Sequence, residues 1–297
     1  MIANTISPQQ NSFPIKISVI TVCKNAENTI EETLKSVCEQ TYPNIEYIIK
    51  DGISTDSTLN IVKKYERYIS NIISGQDKSI YDAMNIALRY ASGDYVFFLN
   101  ADDQFASSNT IRSVVGALQE TNADIIYGDL IFMKNQRIWG YNSNDQPLSR
   151  LKVTIFPIIH QSVFKKRELF NILDTYNYQD FPVCANRNWV CQAFEKEFKF
   201  QYLSIPICKW SRDGFSSRTD HRHEIKRMYN RYLRAHDKLL APFYCAFHIL
   251  RNRTKTISFR QEHNLISLTK NEGFINRKIN NNKLTIKRIL ELISFNF

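Results

Sequence analysis

Aspartate side chains follow three of the short apolar runs in the first half of the sequence: Asp51, Asp77, and the adjacent pair Asp102 and Asp103. Adjacent carboxylates repel each other unless a cation lies between them, and Mg²⁺ and Mn²⁺ prefer hard oxygen ligands. A divalent cation at Asp102 and Asp103 could bind a diphosphate and offset the charge that grows on it as it leaves. An aspartate pair in a loop also often forms a turn or caps the next helix, so the pair alone leaves both interpretations open.

The apolar runs before these aspartates have the composition of buried strands. They are rich in β-branched and aromatic residues, and segments with helical periodicity alternate with them. The predicted strands cover residues 15–22, 45–50, 71–74 and 95–99, and the predicted helices cover residues 28–39, 57–68 and 80–91. This alternation predicts an α/β fold with a doubly wound, mainly parallel sheet, in which ligands bind beyond the carboxyl ends of the strands. We therefore expect the aspartates to share one crevice.

The second half of the sequence is less regular. Its patterns predict a hairpin over residues 131–141, a short helix over 163–173, a helix over 188–198 and a strand over 200–210. From residue 221 onward the chain has the patterning of basic helices.

The sequence lacks the motifs of several enzyme classes that are built on α/β folds. The turn after the first predicted strand, residues 22–28, contains no glycine, although a dinucleotide-binding fold needs a glycine-rich turn at that point. The sequence also contains no P-loop motif and no nucleophile elbow of the G-x-S-x-G type. Dehydrogenase, P-loop NTPase and serine hydrolase activities are therefore disfavoured.

Positive charge is concentrated at the end of the chain. Residues 221–297 hold 16 Lys and Arg against 5 Asp and Glu, whereas the whole chain holds 39 and 29. This basic region could bind an anionic membrane, polyphosphate or nucleic acid, or it could simply be a solvated, basic helical surface. Residues 239–250 are apolar but too few to span a bilayer, so they fit an interfacial segment and a buried helix about equally well.

The start of the chain and the cysteines indicate a cytoplasmic protein. Residues 1–14 are polar and lack the apolar core of a secretory signal, and the six cysteines show no zinc-site spacing. Free thiols in a reducing compartment account for these cysteines most simply.

Five short motifs lie in order along the first half of the chain. They occupy residues 21–25 (TVCKN), 51–58 (DGISTDST), 77–85 (DKSIYDAMN), 93–95 (GDY) and 99–103 (LNADD), with looser matches at 127–129 and 160–162. Together they resemble the family 2 glycosyltransferases with the GT-A fold, and most of all the members that build bacterial exopolysaccharide, capsule and lipopolysaccharide sugars. The resemblance implies a GT-A domain over residues 15–220, followed by a basic helical appendage over residues 221–297.

The resemblance also implies which residues bind the donor nucleotide. Thr21 and Asp51 would contact the nucleobase and the ribose, usually those of a UDP-sugar. Asp77 would lie on the third loop beside the nucleotide, and Asp82 would face the same cleft from the following helix.

The metal and acceptor sides of the site follow from the same resemblance. Asp102 would coordinate Mn²⁺ or Mg²⁺ on the donor diphosphate, and Asp103 would lie nearby and hold the metal or the donor sugar. His160 would lie near the acceptor, although a hydrogen-bonded structural histidine fits its position equally well.

One departure from the family pattern concerns the general base. Inverting transfer needs a carboxylate that takes the proton of the acceptor hydroxyl, and the family places it in an Ala-Asp-x-Asp run. Here both acidic positions are amides, Asn186 and Asn188, which cannot accept a proton near neutral pH. Asp180 or Asp129 could serve instead, or catalysis could be weak, since losing a general base costs about 10²–10⁴-fold in rate.

The sequence therefore predicts a metal-dependent glycosyltransferase that inverts the anomeric centre and uses a nucleotide-sugar donor. We expect a saccharide or lipid-linked saccharide acceptor at the inner face of the membrane, where the basic region would contact anionic lipid. We expect no nucleic-acid partner. The alternative is a catalytically impaired relative that binds a nucleotide-sugar or a partner enzyme, and Asn186 is its main support.

Overall fold

A computed structural model describes residues 14–134, 137–145, 147–156, 158–211 and 220–244. The strands are β1 Ile17–Cys23, β2 Ile45–Asp51, β3 Asn71–Ser74, β4 Tyr95–Phe98, β5 Gln104–Phe105, β6 Ile125–Lys134, β7 Arg137–Asn142, β8 Val163–Lys166 and β9 Phe200–Ser211. The helices are α1 Ile30–Cys38, α2 Thr58–Lys63, α3 Ile80–Leu88, α4 Thr110–Thr121, α5 Arg150–Ile155, α6 Leu169–Ile172, α7 Ala185–Glu195 and α8 Arg222–Tyr232. Two 3₁₀ turns lie at Glu66–Tyr68 and His160–Ser162.

The strands form one mixed sheet in the order β3-β2-β1-β4-β8-β6-β9-β5, with β7 paired to β6. Strands β3, β2, β1 and β4 are mutually parallel, as the sequence predicts. Strand β8 runs antiparallel to β4 and β6, and β9 runs parallel to β6. The α/β class is therefore confirmed, and the first four strands form the predicted parallel arrangement, to which β6 and β9 add one further parallel pair. The strands after them form a mixed extension.

Strands β1 and β4 are buried at every residue because helices cover both faces of the sheet. Alternate residues point to opposite faces, so Ile20 and Phe98 pack towards α3 and α7, whereas Val19 and Phe97 pack towards α1 and α4. This two-sided burial explains the continuous apolar runs. It also fixes the carboxyl ends of β1 and β4 at one edge of the sheet.

The second half of the chain contains one error of prediction. Residues 163–173 fold as strand β8 followed by the short helix α6, not as a single helix. Val163 and Phe164 are fully buried where β8 pairs with its neighbours, and this pairing overrides the local helical pattern. The predicted hairpin is confirmed as β6 and β7, the strand at 200–210 is confirmed as β9, and the helix predicted over 188–198 begins at Ala185.

The first helix beyond residue 220 packs against the sheet domain. Met228 of α8 is fully buried in the same core as α3 and α7. The Tyr232 hydroxyl donates to Asn188 Oδ1 at 2.7 Å. Residues 235–244 are also helical and expose Leu239, Leu240 and Phe243. The rest of the predicted basic appendage, including the end of the 239–250 segment, lies outside the described residues.

Across the described parts of the chain, the helices are too short or too polar to cross a bilayer. The five cysteines in those parts are free thiols.

Candidate functional site

A cleft of about 1350 Å³ opens at the carboxyl ends of β1 and β4. Its walls come from the loop after β1, the start of α3, the loop after β4, the 3₁₀ turn before β8, the start of α7 and the end of β9. The sheet topology therefore brings residues that are distant in sequence to one edge, as expected for a ligand site in this fold class. The polar side chains of the lining include Lys24, Asn100, Asp102, His160, Gln161, Asn186 and Arg187.

The two adjacent aspartates have different surroundings. Asp102 lines the cleft, whereas Asp103 is only 1% exposed. The Asp103 Oδ1 atom accepts a hydrogen bond from the Ser211 backbone N–H at 2.8 Å, and Oδ2 accepts one from Gln161 Nε2 at 3.0 Å. Burial, and then the charge of Asp102, raise the pKa of Asp103 well above its usual value. Asp103 thus joins β9 and the 3₁₀ turn to the loop after β4, and Asp102 is the carboxylate of the pair that lines the cleft.

The cleft wall that contains Asp102 also holds two amide oxygens without a hydrogen-bond partner. Asn100 Oδ1 and Gln161 Oε1 are buried acceptors that receive no hydrogen bond, and both residues line the cleft with Asp102. Buried acceptors of this kind cost free energy unless a donor or a cation satisfies them. No group of three or more His, Cys, Asp and Glu side chains within the described ranges could hold a metal. Carboxylate and amide oxygens are the ligand types that Mg²⁺ and Mn²⁺ prefer, and substrate phosphates and water commonly complete such sites.

Asp51 and Thr21 lie behind the cleft wall. Asp51 is fully buried at the end of β2, where it accepts hydrogen bonds from the Ser54 backbone N–H at 3.1 Å and from Ser74 Oγ at 2.8 Å. Thr21 is also fully buried, and its hydroxyl lies 3.1 Å from the Tyr47 hydroxyl. Neither side chain lines the cleft, but Cys23, the cross-strand partner of Asp51, does.

Asp77 and Asp82 lie on the loop after β3 and at the start of α3. Asp77 Oδ2 forms an ion pair with the buried Lys50 Nζ at 3.1 Å. Gly52 permits this approach, because a Cβ there would lie 2.8 Å from Asp77 Oδ2. Asp82 accepts hydrogen bonds from the Lys78 backbone N–H at 2.8 Å and from the Tyr178 hydroxyl at 3.0 Å. Both carboxylates thus have partners within the protein, and neither lines the cleft.

His160 and Asn186 are joined in the cleft wall, with Asn186 Nδ2 lying 2.7 Å from His160 Nδ1. Asn186 Oδ1 accepts the Arg187 backbone N–H at 2.7 Å, so the amide nitrogen must face the histidine. Nδ1 is therefore an acceptor, and the neutral imidazole carries its proton on Nε2. Burial and the nearby Lys165 lower the pKa of His160 to about 3, which keeps the ring neutral at physiological pH.

The two other carboxylates considered as a base lie away from this wall. Asp180 is exposed, accepts a hydrogen bond from Asn177 Nδ2 at 2.9 Å and does not line the cleft. Asp129 is buried and accepts hydrogen bonds from the Tyr141 and Tyr202 hydroxyls and the Asn144 backbone N–H. Its pKa is raised, chiefly by burial. Of the three residues predicted for catalysis, the structure brings His160 and Asn186 into the cleft.

Sequence reasoning did not single out Tyr81, Gln161 or Glu224. The Tyr81 hydroxyl lies 2.7 Å from the Val183 carbonyl and 2.9 Å from Asn186 Oδ1. Both oxygens of Glu224 accept from the Val183 backbone N–H at 3.1 Å, and Oε2 accepts from the Cys184 backbone N–H at 2.8 Å. A carboxylate at this position also complements the positive end of α7. Helix α8 thus fixes the segment that carries Asn186.

Removal of the Glu224 carboxylate should lower the stability of the fold. In Glu224→Ala, two buried N–H groups lose their acceptor, and each such group costs about 1–3 kcal/mol. Glu224→Gln should lose less because it keeps one acceptor oxygen. Urea unfolding of both variants checks the order, with the exposed Glu120→Ala as a matched control. Equal stability of Glu224→Ala and the control would contradict the proposed contact.

Lys165 lies fully buried behind His160 without a carboxylate among its described neighbours. Its ammonium lies 2.9 Å from the Tyr176 hydroxyl and 5.5 Å from the ring centres of Phe98, Tyr176 and Trp189. Burial lowers the pKa of Lys165 to about 7, whereas an unfolded lysine titrates near 10.5. Between these pH values the unfolded chain binds one proton more than the folded protein does, so stability should rise with pH.

Lys165→Met should therefore flatten the rise of stability between pH 7 and pH 9. The substitution should remove at most about 1.4 kcal/mol of unfolding free energy per pH unit from this rise. Urea unfolding at several pH values measures it, and the partly exposed Lys166→Met is the matched control. The same pH dependence in wild type and Lys165→Met would show that the buried amine keeps its proton.

The fold and the acidic crevice define a class of protein: a GT-A glycosyltransferase. The glycosyl transferase family 2 model matches residues 18–179. A "PGL/p-HBAD biosynthesis glycosyltransferase" of Mycobacterium bovis is 30% identical over 211 residues, covering 68% of this chain and 79% of that protein. The chain belongs to glycosyl transferase family 2, and it is a glycosyltransferase.

Further similarities extend to proteins with solved structures. The "poly(ribitol-phosphate) beta-N-acetylglucosaminyltransferase TarS" of Staphylococcus aureus is 32% identical over 145 residues, which are 47% of this chain and 24% of TarS. Its crystal structure superposes with a TM-score of 0.62 at 19% identity, over 81% of this chain and 44% of that chain. A 1–349 form was solved with UDP-GlcNAc, with a TM-score of 0.59, 18% identity, and 83% and 76% coverage.

An archaeal enzyme shares the same fold. The mannosyltransferase PcManGT of Pyrobaculum calidifontis, in complex with GDP-Man and Mn²⁺, has a TM-score of 0.57 at 16% identity. The superposition covers 87% of this chain and 82% of that chain. At these identities the solved structures confirm the GT-A fold.

Proposed function

We propose that this glycosyltransferase moves a sugar from a UDP-sugar to a saccharide or lipid-linked saccharide acceptor in bacterial surface polysaccharide synthesis, with inversion and with Mn²⁺ or Mg²⁺. The observation that carries this proposal is Asp102, which lines a cleft large enough for a nucleotide-sugar whose wall also holds two unsatisfied amide oxygens. The complex of TarS with UDP-GlcNAc supports the donor class. The acceptor class is supported by TarS being a poly(ribitol-phosphate) beta-N-acetylglucosaminyltransferase.

The cation would be held by Asp102 together with Asn100 and Gln161. When bound, it would neutralise charge on the departing diphosphate. Asp103 would keep Gln161 in place, through the hydrogen bond at 3.0 Å. Asp51 would hold the loop after β2 in shape through Ser54 and Ser74. The nucleobase and ribose contacts predicted for Thr21, Asp51, Asp77 and Asp82 stay predictions that would need the surrounding loops to move, because none of these side chains lines the cleft.

The site of action is also a proposal. The described helix over residues 235–244 exposes apolar side chains next to the basic region predicted from sequence. An apolar face with neighbouring positive charge binds anionic lipid surfaces. This supports a cytoplasmic enzyme that contacts the inner face of the membrane, where a lipid-linked acceptor would be available.

A nucleotide panel tests the donor class. Thermal unfolding is measured with UDP, GDP, CDP and dTDP, each with and without Mn²⁺. A ligand that binds only the folded state adds about 2.7 kcal/mol of stability at 100 times its Kd. UDP with Mn²⁺ should give the largest shift. A larger shift with another nucleotide would overturn the UDP assignment, and no shift with any nucleotide would overturn nucleotide-sugar binding.

A further inference from the structure

Arg187 is a buried cation without a counter-charge in the part of the chain that the structure describes. It is 7% exposed, and it forms no ion pair with any residue in the described ranges. One guanidinium nitrogen donates to the Thr154 carbonyl, whereas Nε has no hydrogen-bond partner. Buried charges are normally paired, because removal of a charge from water costs several kcal/mol. Since no carboxylate among the described residues pairs with it, this guanidinium is able to take an anionic ligand.

The surroundings of Arg187 indicate where that anion would sit. Arg187 lines the same cleft as Asp102, and it follows directly after Asn186 on α7. His160, the partner of Asn186, also lines the cleft and has a buried Nε2 without a hydrogen-bond partner. With Nδ1 accepting from Asn186, this Nε2 is a donor. A guanidinium and an imidazole N–H on one wall are hydrogen-bond donors suited to an oxyanion.

Arg187 lies in the same cleft as Asp102 but on a different element, helix α7. Asp103 is hydrogen-bonded to Gln161, which directly follows His160 in the chain. His160 is in turn hydrogen-bonded to Asn186, the residue before Arg187. A cation at Asp102 would already compensate the diphosphate of the donor. A second, protein-borne cation in the same cleft fits a second anion.

We infer that Arg187, with the Nε2–H of His160, forms an anion subsite in the cleft that binds a phosphate group of the acceptor. This inference rests on the proposed function and narrows it, because it selects acceptors that carry phosphate near the accepting sugar over neutral saccharides. Burial lowers the pKa of Arg187, consistent with a guanidinium that lacks a neighbouring carboxylate.

The test uses the full chain saturated with UDP and Mn²⁺, so that the donor diphosphate position is filled. Calorimetry then measures binding of inorganic phosphate and glucose 1-phosphate, with glucose as the neutral comparison. Wild type should bind both phosphates, and glucose at least tenfold more weakly than glucose 1-phosphate. Arg187→Gln should weaken phosphate binding about 10- to 100-fold, as expected for a lost charge-assisted bidentate contact. Its UDP affinity should stay within about twofold of wild type.

Three variants and one stability measurement distinguish a phosphate-binding Arg187 from an arginine with only a structural role. Arg187→Lys should keep part of the phosphate affinity because it keeps the charge, and the exposed Arg227→Gln should bind like wild type. Without ligand, Arg187→Met should be as stable as wild type or more stable, since it removes an unpaired buried charge. If Arg187 had only a structural role, Arg187→Met would be less stable than wild type. Arg187→Gln would then lose affinity for UDP and for the phosphates to the same extent.

The outcomes separate the two proposals. If wild type binds UDP but no phosphate, or if Arg187→Gln binds phosphate as well as wild type, the subsite is overturned. If Arg187→Gln weakens UDP as much as phosphate, the anion is the donor diphosphate and the acceptor assignment is overturned. If wild type binds phosphate but no nucleotide, the proposed donor fails while the anion site stands.

Discussion

Asp102→Asn should reduce sugar transfer by about 10²–10³-fold, the loss typical for removal of one group that stabilises charge in a transition state. Asp102 is the carboxylate of the aspartate pair that lines the cleft, and asparagine fills the same space without the negative charge. An amide oxygen binds Mg²⁺ and Mn²⁺ far more weakly than a carboxylate does, so the variant should also lose Mn²⁺-dependent UDP binding. Calorimetric titration of UDP with and without Mn²⁺ measures this second effect.

Asp103→Ala is the matched comparison, because the two aspartates are neighbours with different surroundings. Asp103 is buried and bonds to Ser211 and Gln161, so its loss leaves two donors unsatisfied. Asp103→Ala should therefore lower the melting temperature, whereas Asp102→Asn should leave it nearly unchanged or raise it. Retention of Mn²⁺-dependent UDP binding in Asp102→Asn would remove the basis of the proposed metal site.

The difference between Asp102 and Asp103 marks a limit of what the sequence can predict. Strand β4 and the acidic loop after it are visible locally, because a buried strand needs a continuous apolar run. Which of the two carboxylates is buried depends on Ser211 and Gln161, which lie 108 and 58 residues away in sequence. No local pattern carries that information.

The same contrast holds for the rest of the fold. Strands β1 to β4 and the helices between them follow from local periodicity, since each unit packs against its sequence neighbours. Strand β8 was predicted as a helix because its extended form depends on pairing with β4 and β6. Glu224 was overlooked because its partners Val183 and Cys184 lie 41 and 40 residues earlier. The alternation of strands and helices placed the crevice at the carboxyl ends of the strands, but the hydrogen bonds of Asp51, Asp77 and Asp82, none of which lines the cleft, emerge only in three dimensions.

Asn186→Asp should raise the rate of sugar transfer by about 10²–10⁴-fold, the range that a general base contributes. Asn186 lies where the family resemblance places a carboxylate, and it lines the cleft beside His160. In the wild type the amide donates to His160 Nδ1, which leaves Nε2 protonated and unable to accept a proton. Wild-type turnover should accordingly be slow.

An aspartate at position 186 would reverse this arrangement. One carboxylate oxygen would keep the hydrogen bond from the Arg187 backbone N–H, now 2.7 Å from Asn186 Oδ1. The other oxygen would face His160 Nδ1 and could only accept, so the imidazole proton would move to Nδ1 and Nε2 would become a proton acceptor. Either this Nε2 or the new carboxylate could then take the proton of an acceptor hydroxyl. The substitution therefore supplies a base by two routes.

Release of UDP from a radiolabelled UDP-sugar, with and without acceptor, measures the effect. Asn188→Asp is the matched control, because Asn188 is buried, bonds to the Tyr232 hydroxyl at 2.7 Å and does not line the cleft. It should gain no activity and should lose stability, since it buries a new charge. If the wild type turns over rapidly and Asn186→Asp slows it, another residue is the base and Asn186 serves to position His160. A slow wild type with a fast Asn186→Asp would instead identify this chain as a family 2 glycosyltransferase whose turnover is limited at that one side chain.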